Sequence, residues 1–355
     1  MQLRAFADES LLMNDRFLRA CRKESVDTVP VWIMRQAGRY LPEYMEVRRK
    51  HAFLELCKTP ELAVQVTLQP VARLGVDAAI LFSDILIPVE AMGVPLEFLE
   101  YQGPVLGKGV RDRSDVGALR IPDPDPALGV VMEAIRLLRR ELAGKVPLIG
   151  FSGLPFTLAS YIVEGGKSRD FARLRSLMKD DPKTFDSLMD KLAATTIAYV
   201  DAQIQAGAQA VQLFDTWAGV LEPDQYISQV LPYTSQVAEA IRKRGVPVIH
   251  FVENCLPLLP ALRQLPVDVL SIDWRVPLDR AADIVGSKFV LQGNLDPEAL
   301  FKSIPEVEAA AAEVLQHGRA AGGHIFNLGH GILPKTDPET ARALVEAVHR
   351  LGRKG

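Results

Sequence analysis

The chain has 355 residues, of which 48% are hydrophobic and 24% charged, and it carries a net charge of −3. This is the balance of an ordinary globular enzyme, and the lack of a basic excess excludes a protein that attracts nucleic acid or an anionic membrane through its overall field. Cys21, Cys57 and Cys255 stand far apart without a CxxC pair, so neither a disulfide framework nor thiol zinc chemistry is expected.

In chain order, Leu11, Leu12, Phe17, Leu18 and Cys21 recur at helical spacing and predict an amphipathic helix over residues 10–23, plugging one end of the fold. Residues 1–28 then form an N-terminal helical extension. The first residues include early acids and no apolar signal-like core, and no run of about 18 apolar residues follows, which predicts a cytoplasmic protein without a membrane partner. Residues 29–34 are wholly apolar and read as a strand covered on both faces. Helices are predicted over residues 42–57 and 60–74, with a second buried strand at 78–82 between the latter and Asp84. Residues 85–113, rich in Gly and Pro, read as a hairpin excursion. Prolines at 122, 124 and 126 bar regular structure there and introduce a helix over residues 127–143.

From there the beat is regular. Short apolar, β-branched runs at 146–151, 210–214, 246–251, 267–271, 289–292 and 324–327 alternate with amphipathic helices. With the two earlier strands they make eight, and eight parallel strands with helical crossovers define a (β/α)8 TIM barrel, α/β in class, as one domain over residues 1–355. A doubly wound sheet would more often open with a Gly-rich phosphate turn, whereas the first strand here runs into Arg35-Gln36-Ala37-Gly38-Arg39.

In a barrel the site is built where the chain leaves the carboxyl ends of the strands. Those positions hold Arg35 and Arg39; Asp84; Ser152 and Gly153 with Tyr161 farther on; Asp215-Thr216-Trp217; Glu253-Asn254; Asp273-Trp274; Gly293-Asn294; and Gly329-His330-Gly331. Two arginines flanking a small-residue turn suit an anion, since each guanidinium grips a carboxylate or phosphate in a fork and Ala37 and Gly38 leave room at the backbone. Arg48, in a basic run that otherwise reads as a solvated face, is a third candidate cation. Tyr161 also fits a core position, and Asp215 and Asp273 fit helix caps. No metal ligand set emerges, because His250 is followed by Phe251-Val252 and lacks the cysteine of a His-x-Cys pair. A phosphate loop and a nucleophile elbow are also missing.

Several segments together resemble the uroporphyrinogen decarboxylase family along essentially the full chain. They are Met34-Arg35-Gln36-Ala37-Gly38-Arg39-Tyr40-Leu41-Pro42-Glu43, Phe82-Ser83-Asp84-Ile85-Leu86, Tyr161-Ile162-Val163-Glu164-Gly165-Gly166, Gln212-Leu213-Phe214-Asp215-Thr216-Trp217-Ala218-Gly219, Gln292-Gly293-Asn294-Leu295-Asp296-Pro297 and Asn327-Leu328-Gly329-His330-Gly331. The resemblance implies a homodimeric cytoplasmic carboxy-lyase of porphyrin biosynthesis that turns the four acetate side chains of uroporphyrinogen into methyl groups, giving coproporphyrinogen without cofactor or metal. It implies catalytic roles for Asp84, Arg35 and Tyr161. Substrate contacts are implied for Arg35, Gln36, Ala37, Gly38, Arg39, Arg48, Asp84, Tyr161, Thr216 and His330. Thr216 stands where other members have Ser, so the hydroxyl is kept and a methyl added.

Loss of CO2 from a pyrrole acetate needs an electron sink, which the ring becomes once protonated at the carbon beside nitrogen. A fixed Asp84 carboxylate facing the pyrrole N–H groups then stabilises the cationic ring. Arg35, a water and Asp84 itself are the candidate proton donors, arginine being chemically awkward because it stays charged. Two other classes compete: a zinc- or corrinoid-linked methyltransferase on the same barrel, revealed by stoichiometric zinc, and a non-catalytic tetrapyrrole carrier, revealed by absence of turnover.

Overall fold

In the computed structural model, which describes residues 14–99 and 103–353, seven of the eight predicted strands form one parallel sheet. Its members are β1 (Ala79–Ile80), then β4 (Leu148–Gly153), β5 (Ala210–Phe214), β6 (Val248–Phe251), β7 (Val269–Ser271), β8 (Val290–Gln292) and β9 (His324–Ile325), each pairing with the next. Between β1 and β4 the predicted excursion supplies β2 (Leu96–Leu99) and β3 (Gly103–Leu106), an antiparallel hairpin pairing Leu96 with Leu106 and Phe98 with Pro104. The excursion is not all extended: it begins with a short helix, Ile87–Ala91, that has Pro88 in its first turn.

Residues 29–34, expected as the first strand, do not form one. Only Val31 makes a ladder bridge, to Phe326. Pro30 has no N–H to give, and three of the next four donors go to side chains: Val31 N–H to Asp77 Oδ2 at 2.8 Å, Ile33 N–H to Gln36 Oε1 at 3.0 Å and Met34 N–H to Asn327 Oδ1 at 2.9 Å, while Trp32 N–H reaches Phe326 O at 3.3 Å. The segment still touches both edges of the sheet. Phe326 N–H donates to Pro30 O at 2.8 Å, and Asp77 N–H, just before β1, donates to Val31 O at 2.8 Å.

The helices follow the predicted pattern with shifted ends. Pro60–Leu74 is as expected, closed by Gly75 in the left-handed region at φ 72°. The helix expected over 42–57 is broken into Pro42–Arg48 and Phe53–Lys58, because Glu55 Oε2 accepts the Ala52 N–H at 3.2 Å and starts a new helix there. The helix after the proline run begins at Pro124 rather than 127, since Pro is tolerated in a first turn and the Asp123 carboxylate accepts Asp125 N–H at 3.2 Å.

Of the predicted N-terminal helix, residues 10–13 lie outside the described residues and Arg16–Cys21 is helical. Phe17, Leu18, Ala20 and Cys21 pack on Trp32, Ala78, Ile149, Ala210 and Ile249. These partners sit at or before the amino-terminal ends of the strands, so this helix plugs the end opposite the strand termini that carry Asp84 and His330. Phe17 is wholly buried, a contribution of about 2–3 kcal/mol.

Candidate active site

Above that plug the sheet interior carries a buried polar layer. Trp32 Nε1–H donates to Gln292 Oε1 at 2.9 Å, and the Gln292 amide donates in turn to Gln212 Oε1 at 3.1 Å and Ser271 Oγ at 3.0 Å. Every member satisfies another, so the layer is rigid and makes a fixed floor.

Over the floor, the Arg35 turn is tied on several sides. Ile332 N–H donates to Met34 O at 2.9 Å, Gln36 N–H to Ile33 O at 2.9 Å, and Tyr40 O–H to Gln36 O at 2.9 Å. Gln36 is wholly buried and its amide also donates to Ala78 O at 3.1 Å, so this side chain builds the turn from within. Arg35 and Arg39 are exposed, with Ala37 and Gly38 partly so between them. Arg48 sits one helix on. Its guanidinium donates to His51 O at 2.7 Å and hydrogen-bonds the Tyr44 hydroxyl, whose ring lies 5.7 Å from that of Phe82. The electrostatic influence of Arg39 also reaches Tyr44. The two outer cations are thereby linked, through Tyr44 and Phe82, to the strand end bearing Asp84.

Asp84 Oδ1 accepts the Leu86 N–H at 2.9 Å, and the carboxylate has no other protein hydrogen bond among the described residues. Its residue is partly open to the cleft while the carboxyl itself is enclosed; this desolvation pushes its pKa up to about 6, against the opposing pull of the Leu86 N–H and Arg35. At neutral pH it is an anion held in poor solvent. Tyr161, on the buried helix Pro155–Glu164, lies within electrostatic range of both Asp84 and Arg35, and burial raises its pKa. The Trp217 ring packs edge-on against that of Tyr161, with centroids 6.2 Å apart.

Thr216 and Trp217 open a short 3-10 helix after β5, and Asp215 fixes it from behind. Asp215 is wholly buried and does not cap that helix with its side chain; Thr157 Oγ1–H donates to its Oδ1 at 3.2 Å, and Trp217 N–H donates to the same Thr157 oxygen at 3.2 Å. Thr216 O meanwhile accepts Glu253 N–H at 3.3 Å. Burial pushes the Asp215 carboxyl up to about 7, with Thr157 and Thr234 pulling the other way. A carboxyl whose folded pKa is raised binds its proton more tightly when folded. Its contribution to stability is therefore complete below the unfolded value, about 3.9, and is lost as pH rises through 7. We expect Asp215→Asn to gain about 2–3 kcal/mol relative to the native chain between pH 5 and pH 8, read from denaturant midpoints at the two pH values. An unchanged difference would show that Asp215 stays ionised throughout.

The His330 ring packs against those of Phe251 and Trp274, with centroids 6.0 and 6.1 Å away. Burial, aided by the positive charges of Arg35 and Arg275, lowers its pKa to about 4, so it is a neutral hydrogen-bonding group at physiological pH. The structure adds Arg275, which the strand-end positions did not include. Arg275 lies 3.8 Å over the Trp274 ring and pairs with Asp273 at 3.2 Å and Glu253 at 3.3 Å; Glu253 in turn lies 3.9 Å from His330 Nε2. Asp273 also accepts Cys255 N–H at 2.7 Å and Arg275 N–H at 3.0 Å. An arginine directly after Asp273-Trp274 at a strand end was the available signal.

Arg35 thus lies within electrostatic range of Asp84, Tyr161 and His330, and Tyr161 within range of Asp84 as well, while Thr216 precedes the Trp217 that packs on Tyr161. Among the described residues no group of three or more His, Cys, Asp or Glu is placed to hold a metal ion, and no helix is long and apolar enough to cross a membrane. Parallel strands feeding a cleft of fixed cations around an enclosed carboxylate define an α/β enzyme.

Comparison with known proteins narrows the class. Residues 12–351 match the family described as uroporphyrinogen decarboxylase (URO-D), and the chain belongs to that family. The uroporphyrinogen decarboxylases of Trichlorobacter lovleyi and Geobacter sulfurreducens are each 53% identical over 342 residues, covering 96% of this chain and all of theirs. Among solved structures, a methyltransferase from Methanosarcina mazei superposes with a TM-score of 0.79 at 22% identity, covering 95% of this chain and 98% of that one. A B12-independent methionine synthase from Shewanella superposes at 0.55 with 12% identity, covering 82% and 88%. At such identities these two share the fold only.

Proposed function

We propose that this chain decarboxylates the four acetate groups of uroporphyrinogen III, giving coproporphyrinogen III and four CO2. The observation that carries the reading is the enclosed Asp84 carboxylate, one oxygen free of protein donors, with Arg35 and Tyr161 within its electrostatic range and His330 within that of Arg35. The four pyrrole N–H groups of a folded-over macrocycle supply the donors that Asp84 lacks. Arg35, Arg39 and Arg48 hold carboxylates of the substrate, and Ala37 and Gly38 keep the turn low enough for the macrocycle to approach. Gln36 contributes by shaping the turn, while Tyr161, Thr216 and His330 line the rim.

Protonation of a pyrrole carbon beside nitrogen makes the ring a cation that accepts the electron pair released with CO2. The methylene carbon is then protonated to a methyl group and the ring carbon gives up its proton, so that each turn consumes one proton overall. Asp84 lowers the energy of the cationic ring because its charge is already in place before the ring is protonated.

In this reading residues 30–32 serve as the eighth stave, since their bonds to Phe326 and Asp77 reach the two edges of the seven-stranded sheet, and the chain is one closed (β/α)8 domain. It works as a cytoplasmic homodimer, which sedimentation at micromolar concentration checks.

Arg39→Ala is expected to raise KM about 10-fold or more and to release partly decarboxylated porphyrinogens, because an exposed guanidinium that grips carboxylates acts on binding and placement. Anaerobic turnover followed by chromatography of the oxidised products reads both. A normal product pattern at an unchanged KM would remove Arg39 from the substrate site, and failure of the octamethyl ester of uroporphyrinogen to compete supports recognition through carboxylates.

A further inference from the structure

Two glycines flank His330, and they are glycine for different reasons. A Cβ added at Gly329 would run into the Trp274 backbone, so that position is closed by main chain. At Gly331 the three nearest atoms are all in the Arg35 side chain: an added Cβ would lie 2.9 Å from Cγ and from Nε, and closer still to Cδ. Gly331 is not among the residues with positive φ, so its backbone does not call for glycine. What the position supplies is empty space, and the Arg35 stem fills it.

Arg35 is the residue that carries the unusual conformation, at φ 63°. A side-chain-bearing residue held there is strained and persists only where neighbours enforce it. Asn327 Oδ1 accepts Met34 N–H at 2.9 Å and Leu328 N–H at 2.8 Å, which ties the turn to the strand end that leads into the His330 loop. On the other side of Gly331, Ile332 N–H donates to Met34 O at 2.9 Å. The main chain is therefore fastened to the Arg35 turn on both sides of position 331. A side chain added there has nowhere to go, and the flexible Arg35 stem must yield.

We propose that Gly331 is a positioning residue for the reaction: its missing side chain lets the Arg35 stem lie against the His330 loop, which fixes where the guanidinium meets the substrate. The inference rests on the decarboxylase reading for the identity of that substrate. Its consequence is specific to a substrate that must be presented four times, each time with a different acetate at the same point. A guanidinium displaced by about 1 Å misplaces every one of these presentations, and such errors cost up to about 100-fold in rate.

The test combines a structure with a double-mutant cycle on Gly331→Ala, Arg35→Ala and the double variant. In the crystal structure of Gly331→Ala we expect the Arg35 stem moved and the main chain of residues 329–332 in place. With uroporphyrinogen III, Gly331→Ala is expected to lower kcat/KM by about 10–100-fold at an unchanged melting temperature, and to have almost no further effect in the Arg35→Ala background. A structure with Arg35 unmoved, an unaltered kcat/KM for Gly331→Ala, or the full loss repeated in the Arg35→Ala background would each overturn the proposal. A folded native chain without turnover would instead fall on the decarboxylase reading, and the structure of Gly331→Ala would then decide the coupling by itself.

Discussion

Replacing Asp84 by Asn is expected to lower kcat by about 100- to 1,000-fold while the protein stays folded. The substitution keeps the shape and the one protein contact, since an amide oxygen accepts the Leu86 N–H as well as a carboxylate oxygen does. What it removes is the charge. In water a neighbouring carboxylate is a weak stabiliser of a cation, but burial here is strong enough to bring the Asp84 pKa up to about 6, which means the site provides few dipoles of its own to screen it. The same shift fixes two signs. Native activity rises with pH through about 6 as the carboxylate forms, and this limb is absent in the Asn variant. Stability moves the other way: a carboxyl with a raised folded pKa stabilises below its unfolded value and loses that contribution as pH rises through 6, so Asp84→Asn is at least as stable as the native chain at pH 7. Lost turnover then cannot be attributed to unfolding. Near-normal turnover by the folded variant would refute charge stabilisation of the ring.

The largest expected effect on the fold is at Asp77, and it has the opposite sign with pH. Asp77 is 1% exposed and accepts four donors: Val31 N–H at 2.8 Å, Asn14 Nδ2–H at 2.8 Å, Arg16 Nη1–H at 2.6 Å and His349 Nε2–H at 2.8 Å. One carboxylate thus joins the plug helix, the segment leading to Arg35 and the C-terminal helix Pro338–Leu351. Desolvation by itself would raise its pKa, but the donors from His349, Val31 and Asn14 outweigh it and hold the carboxyl below the usual range. Asp77→Ala strands a buried N–H and half of the pairing of Arg16, which keeps Asp27 at 2.6 Å, and should cost about 3 kcal/mol or more. The native contribution is present above the unfolded value of about 3.9 and disappears as pH falls below it. Denaturant midpoints at pH 7 and pH 3.5 measure both; a loss under about 1 kcal/mol at pH 7 would show that the donors find other partners.

These residues also show where the sequence was readable. Seven strands announced themselves because a strand buried on both faces must be a short apolar run, and the excursion after the second was visible from its glycines and prolines. Residues 29–34 have the same composition without being a strand. Their donors go to Asp77, 46 positions away, and to Asn327, 293 positions away, and no local pattern encodes such partners. The broken helix at Ala52 depends on one carboxylate, Glu55, that reads equally well as a helix interior residue.

The site was legible to a similar depth. Arg35, Asp84, Tyr161 and His330 were singled out because barrel geometry assigns meaning to strand ends, and in the structure Arg35 is within electrostatic range of the other three. Asp215 and Asp273 were readable as caps, yet Asp215 turns back to Thr157 and Thr234, and Asp273 serves a turn and an arginine. Arg275 was passed over because a lone exposed cation after a tryptophan has no local mark of function; only its stacking on Trp274 beside His330 gives it one. The space that Gly331 leaves for Arg35 is a fact of packing between segments about 300 positions apart, beyond reach of any reading along the chain.

The account turns on a decarboxylation in which the macrocycle is its own electron sink. Its most direct test is anaerobic incubation of the purified chain with uroporphyrinogen III in the presence of a strong chelator, with porphyrins and CO2 both counted. The account predicts coproporphyrinogen III and four CO2 per substrate molecule, at a rate the chelator does not alter. Unchanged uroporphyrinogen with folded protein, or turnover that vanishes with chelator and returns with zinc, would contradict it.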